Sequence, residues 1–102
     1  KEGTLRVFNA ALSKSINRII VTSSSAAVYD GNKKITSFDE NIWTNIHTRG
    51  VSAYTKSKTI AEKSAWDFVS KHPIIQLSTI NPVLVWGPGI GNHLSSYLLQ
   101  VF

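Results

Sequence analysis

The 102 residues include no cysteine and no methionine. Without cysteine, a disulfide framework, a thiolate-bearing metal site and a dithiol redox motif are all excluded. His47, His72 and His93 lie far apart, and no His-x-x-x-His or His-Glu-x-x-His spacing brings two imidazoles onto one helical face, so no metal is expected. No apolar run approaches the roughly 18 residues of a membrane span, and the front carries no charged-then-apolar leader. The chain therefore reads as intracellular, with the cytoplasm as its expected compartment. Acidic residues are also scarce, six against eleven Lys and Arg, for a formal charge of +5. That excess raises nucleic acid as a partner. Yet the basic residues are spread from Lys1 to Lys71, and the longest basic run is the pair Lys33 and Lys34. The dense basic stripe of a phosphate-tracking surface is missing, and nucleic acid is not an expected partner.

What is present is the composition of a globular protein, 42% hydrophobic and 17% charged, with room for one domain at most. Leu5, Phe8 and Leu12 recur at helical spacing within Lys1 to Ser15. "RIIVTSSS" (Arg18 to Ser25) is a short β-branched run closing in small hydroxyl residues, the pattern of a buried parallel strand, and "IIQLSTINP" (Ile74 to Pro82) is a second, stopped by Pro82. Between them the sequence predicts a loop from about Asp30 to Gly50 and a helix from about Ser52 to His72, ended by Pro73. Leu94, Leu98, Val101 and Phe102 trace a last apolar helix face. Strands alternating with helices predict an α/β fold with a parallel sheet and right-handed crossovers. Two strands make a marginal sheet. With no initiator methionine and no closing residue on the last helix, the expectation is an internal segment of a longer protein whose further strands lie mostly upstream.

The stretch "AYTKSKTIAEKSAWDF" (Ala53 to Phe68) carries the candidate chemistry. Tyr54, Lys58, Ala61, Ala65 and Phe68 step by four, three, four and three, which places them on one stripe predicted to face the sheet. Ser52 is the expected N-cap, with Tyr54 in the first turn. In parallel sheets ligands bind outside the carboxyl ends of the strands. Three pieces converge there: the serines after the first strand, Tyr54 with Lys58, and the turn that begins at Asn81. By chance alone a Tyr with a Lys four later arises in roughly one chain in four of this composition, and serines at strand ends are common turn chemistry. The residues by themselves therefore leave a catalytic and a structural reading open. A lysine on a predicted buried stripe is the feature that favours the former.

"TSSSAAVYD", "DENIW", "AYTKSK", "AEKSAWDF" and "STINPVLVWGPG" follow one another here as in the extended short-chain dehydrogenase/reductases. The chain most resembles the branch of dihydroflavonol reductases, cinnamoyl-CoA reductases and fungal methylglyoxal and ketone reductases. The resemblance covers almost the whole chain and implies a Rossmann-like doubly wound parallel sheet, of which residues 1–102 would be the C-terminal half of the NAD(P)-binding domain. That half carries the catalytic residues and lacks the glycine-rich loop that receives the pyrophosphate. The implied cofactor is NADP, with NAD as the alternative, and the implied substrate a small carbonyl compound. Tyr54 becomes the proton donor, with Lys58 as its partner and as a ligand of the nicotinamide ribose. Ser24 is the catalytic serine by the pattern of the reductases, and Ser25 by that of the sugar-nucleotide epimerases. Thr22, Ser23, Tyr54, Pro82 and Val85 also fall to the cofactor, the last two through the backbone that meets the nicotinamide carboxamide. Ser25 and Trp86 fall to the substrate. Relatives in this superfamily often, though not always, pair through the helices corresponding to Lys1 to Ser15 and Ser52 to His72, so the resemblance admits a homodimer and leaves the oligomeric state open. One departure is the first helix, where Gly3, Thr4, Leu5 and Arg6 stand in place of Gly-Thr-x-Asn.

Carbonyl reduction needs hydride at carbon and a proton at oxygen, and a free phenol is a poor acid near neutrality. An ammonium about 4 Å from a phenol, at an effective dielectric of about 20, favours the phenolate by about 4 kcal/mol, which turns a poor acid into a usable one. A serine hydroxyl donates where negative charge grows on the substrate oxygen. Trp43, Trp86, Leu94, Tyr97 and Leu98 are candidates for an apolar substrate wall, although for Trp43 and Trp66 a place in the core is the stronger expectation. Two other readings stand beside the reductase: a sugar-nucleotide epimerase or dehydratase with tightly held NAD, and a catalytically inert segment that kept only the helices.

Overall fold

The computed structural model describes residues 1–29 and 37–85. Helix α1 (Glu2–Ser13) leads into strand β1 (Arg18–Thr22), a single 3-10 turn (Ser25–Ala27), helix α2 (Ala53–Lys71) and strand β2 (Gln76–Ile80). The two strands pair in parallel, from Arg18 opposite Gln76 to Thr22 opposite Ile80. The element order, the parallel pairing and the long helix between the strands agree with the expectation for an α/β segment. Both strands end earlier than expected, because the chain after Thr22 turns into the 3-10 helix. Backbone pairing nonetheless persists past Ile80, with Ser23 N–H donating to Ile80 O (2.8 Å) and Ser25 N–H to Pro82 O (3.0 Å). The expected helix through Leu94 to Phe102 lies outside the described residues, as does Asp30 at the start of the expected loop.

Helix α1 buries Phe8 and Ala11 on the periodic face, and Glu2 in its first turn complements the helix dipole. It ends without glycine. Ser15 takes a left-handed φ of 56°, Ser15 N–H donates to Leu12 O (3.1 Å) and Ile16 N–H to Ala11 O (3.0 Å). Those two bonds form a Schellman closure, built here on a residue that carries a Cβ. Helix α2 starts where the sequence places it. Ser52 Oγ accepts from Thr55 N–H (3.1 Å), and the helix closes at His72, just before Pro73.

The core lies between the helices and one face of the sheet. Phe8, Ala65, Phe68 and Ile75 form its centre, with Leu5, Leu12, Ile19, Val21, Val69 and Leu77 against them. Phe8 is 1% exposed and meets Phe68 edge to face at 5.5 Å, the geometry that ring quadrupoles favour. His72 stacks on Phe68 at 4.2 Å, with its Nδ1 2.8 Å from Phe68 O, and so closes the core at the helix C-terminus. The strands differ from the expectation of burial on both faces. Ile19, Val21 and Leu77 pack inward, whereas Ile20 and Ile80 on the opposite face are 60% and 56% exposed. Among the described residues no helix covers that second face.

The strain at Ser15 yields a prediction. Because the left-handed region costs an L-residue about 1 kcal/mol that glycine escapes, Ser15→Gly is expected to raise stability by about that amount. The check is the midpoint of urea unfolding; an unchanged or lower midpoint would show that this turn stores no such strain.

Candidate active site

The carboxyl ends of β1 and β2 and the first turn of α2 meet around one cleft. It has a volume of about 310 Å³, and its wall includes Ser24, Ser25, Tyr29, Gly50, Tyr54 and Val83. The local sequence explains each wall. Gly50 adopts a φ of 91°, open to glycine at no cost, and turns the chain towards the Ser52 cap that starts α2. Ser24 caps the 3-10 turn, its Oγ accepting from Ala26 N–H at 3.2 Å. Thr44 holds the other side of that turn: its N–H donates to Ala27 O (2.9 Å) and its hydroxyl to Ala26 O (2.8 Å).

Tyr54 stands at the mouth. It is 53% exposed, so the stripe predicted to face the sheet needs correction at its start: the first turn of α2 overhangs the strand ends and presents Tyr54 to the cleft. The Lys58 Nζ lies over the Tyr54 ring, 5.9 Å from its centroid, and Lys58 is half-buried. Further along, Ala65 and Phe68 are buried as expected, but Thr59, Glu62 and Ser64 are buried with them. The hydroxyls of Thr59 and Ser64 donate to the carbonyls four residues back, Thr55 O (2.8 Å) and Ile60 O (2.6 Å), which lets a polar side chain sit inside without an unmet donor.

Ser24, Ser25 and Tyr54 are thus brought together on one cleft, with Lys58 behind the tyrosine. Thr22 is exposed at the end of β1, and Ser23 is buried beneath it with its hydroxyl donating to Glu62 Oε2. Pro82 is half-buried and its carbonyl accepts from Ser25 N–H. Val85 is 87% exposed, while its neighbour Val83 lines the cleft. Trp86, Leu94, Tyr97 and Leu98 lie outside the described residues. Neither Trp43 nor Trp66 is a full core residue. Trp43 is half-buried beneath the Lys63 ammonium, 5.3 Å from its ring centroid, Trp66 is 37% exposed, and both line a second, smaller cleft of about 260 Å³ together with Val28 and Thr79.

Two residues of the site escaped the sequence reading. Glu62 is 4% exposed and accepts three bonds: from the Ser23 hydroxyl, from Asn81 Nδ2 (2.9 Å) and from Trp66 Nε1 (3.4 Å). Asn81, noted only as the start of a turn, also donates from Nδ2 to Ser24 O at 3.0 Å. A signal for Glu62 was present. Tyr54, Lys58 and Glu62 step by four along one ridge of α2, and a carboxylate on that ridge needs donors from whatever it faces.

Clefts that bind small molecules measure about 300 to 1,000 Å³, and this one, at about 310 Å³, stands at the lower end of that range. Its polar side chains are hydroxyls, suited to hydrogen-bonding a carbonyl or a sugar. Among the described residues no three His, Asp or Glu side chains gather to hold a metal ion, and no helix is long and apolar enough to cross a membrane.

Comparison with known proteins places these motifs. Residues 1–100 match the 3-beta hydroxysteroid dehydrogenase/isomerase family. The NADPH-dependent methylglyoxal reductase of Saccharomyces cerevisiae is 35% identical over 98 residues, covering 85% of this chain and 29% of the relative. A cinnamoyl-CoA reductase of Medicago truncatula is 42% identical over 93 residues, covering 85% of this chain and 28% of the relative. Among solved structures, the yeast methylglyoxal/isovaleraldehyde reductase complexed with NADPH superposes with a TM-score of 0.71 at 29% identity, over 87% of this chain and 30% of that one. The chain therefore spans less than a third of the length of these relatives, and its fold is a segment of a Rossmann-type α/β domain.

Ser52→Ala tests the local device that orients Tyr54. Removing an N-cap hydroxyl costs about 1 kcal/mol, and Ser52→Asp is expected to restore most of it. Urea unfolding of both variants reads the difference; equal stability of Ser52→Ala and the parent would show that the cap contributes nothing.

Proposed function

This chain belongs to the 3-beta hydroxysteroid dehydrogenase/isomerase family, and from that premise we propose that the protein carrying it is an NADPH-dependent oxidoreductase that reduces an aldehyde or ketone to an alcohol. In this reading residues 1–102 are the C-terminal half of its NAD(P)-binding domain. The observation that carries the proposal is the convergence of Ser24 and Tyr54 on one cleft at the carboxyl ends of parallel strands, with the Lys58 ammonium over the tyrosine ring. The relatives named as reductases of methylglyoxal and of cinnamoyl-CoA support the reaction class. A yeast relative solved with NADPH supports the cofactor.

NADPH, when bound, supplies the hydride. Thr22, Ser23, Lys58, Pro82 and Val85 are the residues of this chain proposed to hold its nicotinamide end. Thr22 and Val85 are open to a ligand, whereas the Ser23 hydroxyl proton is already given to Glu62 and its N–H to Ile80 O, which leaves that residue only acceptors for the task. Ser24 Oγ accepts from Ala26 N–H, so its own proton is free to donate to the substrate oxygen, where negative charge develops. Ser25, beside it on the cleft, and Trp86 are the proposed substrate contacts. Tyr54 gives its proton to that oxygen as the carbon–hydride bond forms. The positive charge of Lys58 stabilises the phenolate left behind, and a solvent proton restores the phenol. One carbonyl, one hydride and one proton become one alcohol. Half exposure of Tyr54 suits this cycle, since solvent reaches the phenolate directly to reprotonate it.

Two measurements on the full-length protein test the reading. Tyr54→Phe is expected to leave NADPH binding within about twofold, by fluorescence, while turnover with a panel of small aldehydes and ketones falls about a hundredfold or more. Normal turnover by that variant rejects Tyr54 as the acid, and no oxidation of NADPH with any carbonyl favours the inert reading. Gel filtration separates the rival enzyme: a reductase is expected to lose its cofactor on the column, whereas an epimerase or dehydratase of the same superfamily would carry NAD through it.

A further inference from the structure

Glu62 is a carboxylate held inside the protein at a place where leucine or methionine would fill the same space without the cost of removing a charge from water. Its three bonds reach well beyond its own helix. The Ser23 hydroxyl comes from the end of β1, Asn81 from the end of β2, and Trp66 from one turn further along α2. Asn81 then spends its second amide proton on the carbonyl of Ser24. The result is a continuous chain of hydrogen bonds from α2 through Glu62 and Asn81 to the residue that faces Tyr54 across the cleft. Tyr54 lies two helical turns from Glu62 on the same ridge, so Glu62 fixes the distance between the helix that bears the tyrosine and the segment that bears the serine.

We propose that Glu62, acting through Asn81, is a positioning residue that sets Ser24 against Tyr54 for the reaction. The inference rests on the proposed function in one respect only, that Ser24 and Tyr54 flank the reacting carbonyl. The geometry accounts for the choice of residues. The Glu62 Oε2 receives from both Ser23 and Asn81, and the uncharged amide of Asn81 gives one proton to Glu62 and one to Ser24 O. A shift of about 1 Å between groups that must act together on one carbonyl costs about a hundredfold in rate, so a clamp of this kind acts on turnover rather than on cofactor affinity.

The test uses the full-length protein and three readouts: the thermal midpoint, amide hydrogen exchange over residues 23–28, and steady-state reduction of a carbonyl that the parent protein turns over. Glu62→Met keeps about the volume but leaves the donors of Ser23 and Asn81 without their acceptor. It is expected to speed exchange in 23–28 about tenfold or more, and to lower kcat about tenfold to a hundredfold with KM for NADPH within about twofold. Glu62→Gln with Asn81→Asp restores a donor and an acceptor between positions 62 and 81 but gives Ser24 O no donor. It is expected to recover the thermal midpoint and not kcat. Should Glu62→Met fail to fold, Asn81→Ala, which leaves Glu62 bonded to Ser23 and Trp66, is to give the same loosening and the same loss of kcat. Unchanged exchange in 23–28, or a double variant that regains kcat together with stability, overturns the inference. Absence of carbonyl turnover by the parent protein counts against the proposed function alone, because exchange still decides whether the clamp exists.

Discussion

A carboxylate taken out of water must be given hydrogen bonds, and in this chain that single requirement ties the parts together. Glu62 cannot be satisfied by its own helix except for one long bond from Trp66. Its other donors belong to residues just past the ends of β1 and β2. Leaving it unpaired would cost several kcal/mol, a large part of the stability of any small domain, so the strand ends and α2 must dock in one register. The apolar core around Phe8 and Phe68 presses the same elements together but is tolerant of small slides, because dispersion and burial have little direction. Packing holds α2 against the sheet, and the hydrogen bonds of Glu62 decide where along the sheet it sits.

The site inherits its geometry from this arrangement. Because α2 begins beyond the strand ends, its first turn has no sheet beneath it, and Tyr54 faces an open cleft while Ala65 and Phe68, three turns on, are buried. The Ser52 cap and the left-handed Gly50 before it define where that first turn starts. On the other wall the 3-10 turn after β1 is held by Thr44 from outside and by Asn81 from within. Among the described residues no helix covers the second face of the sheet, where Ile20 and Ile80 are exposed, in contrast to the doubly wound arrangement in which helices cover both faces. The relatives have more than three times the length matched here, which is the scale on which such a sheet is completed.

Much of the fold was legible in the residues. Helical spacing gave α1 and α2, Ser52 and Pro73 bracketed α2, and two β-branched runs gave β1 and β2, which the parallel pairing of Arg18–Thr22 with Gln76–Ile80 confirms. The family was legible as well, because "DENIW" and "AEKSAWDF" are specific in combination where Tyr-x-x-x-Lys alone is not. The stripe on α2 was less so. Periodicity identifies which residues share a face but not where the sheet beneath that face ends, so Tyr54 was grouped with residues that are buried. Glu62 was passed over for Ala61 because hydrophobic patterning reads a charge as solvent-facing unless its donors are known.

The sequence by itself determined the elements, their order, the cap and breaker that bound α2, and the family, since each of these follows from short-range spacing and local backbone preference. Only the tertiary structure decided that Ser23, Glu62 and Asn81 form one hydrogen-bonded cluster, that Tyr54 stands exposed at the mouth of the cleft rather than against the sheet, and that Ile20 and Ile80 are exposed. The reason is physical: hydrogen bonds and burial between residues 39 and 19 positions apart, as Ser23 and Asn81 are from Glu62, depend on how the strands and helix dock. No local pattern in the chain encodes the end of a surface formed by another part of it.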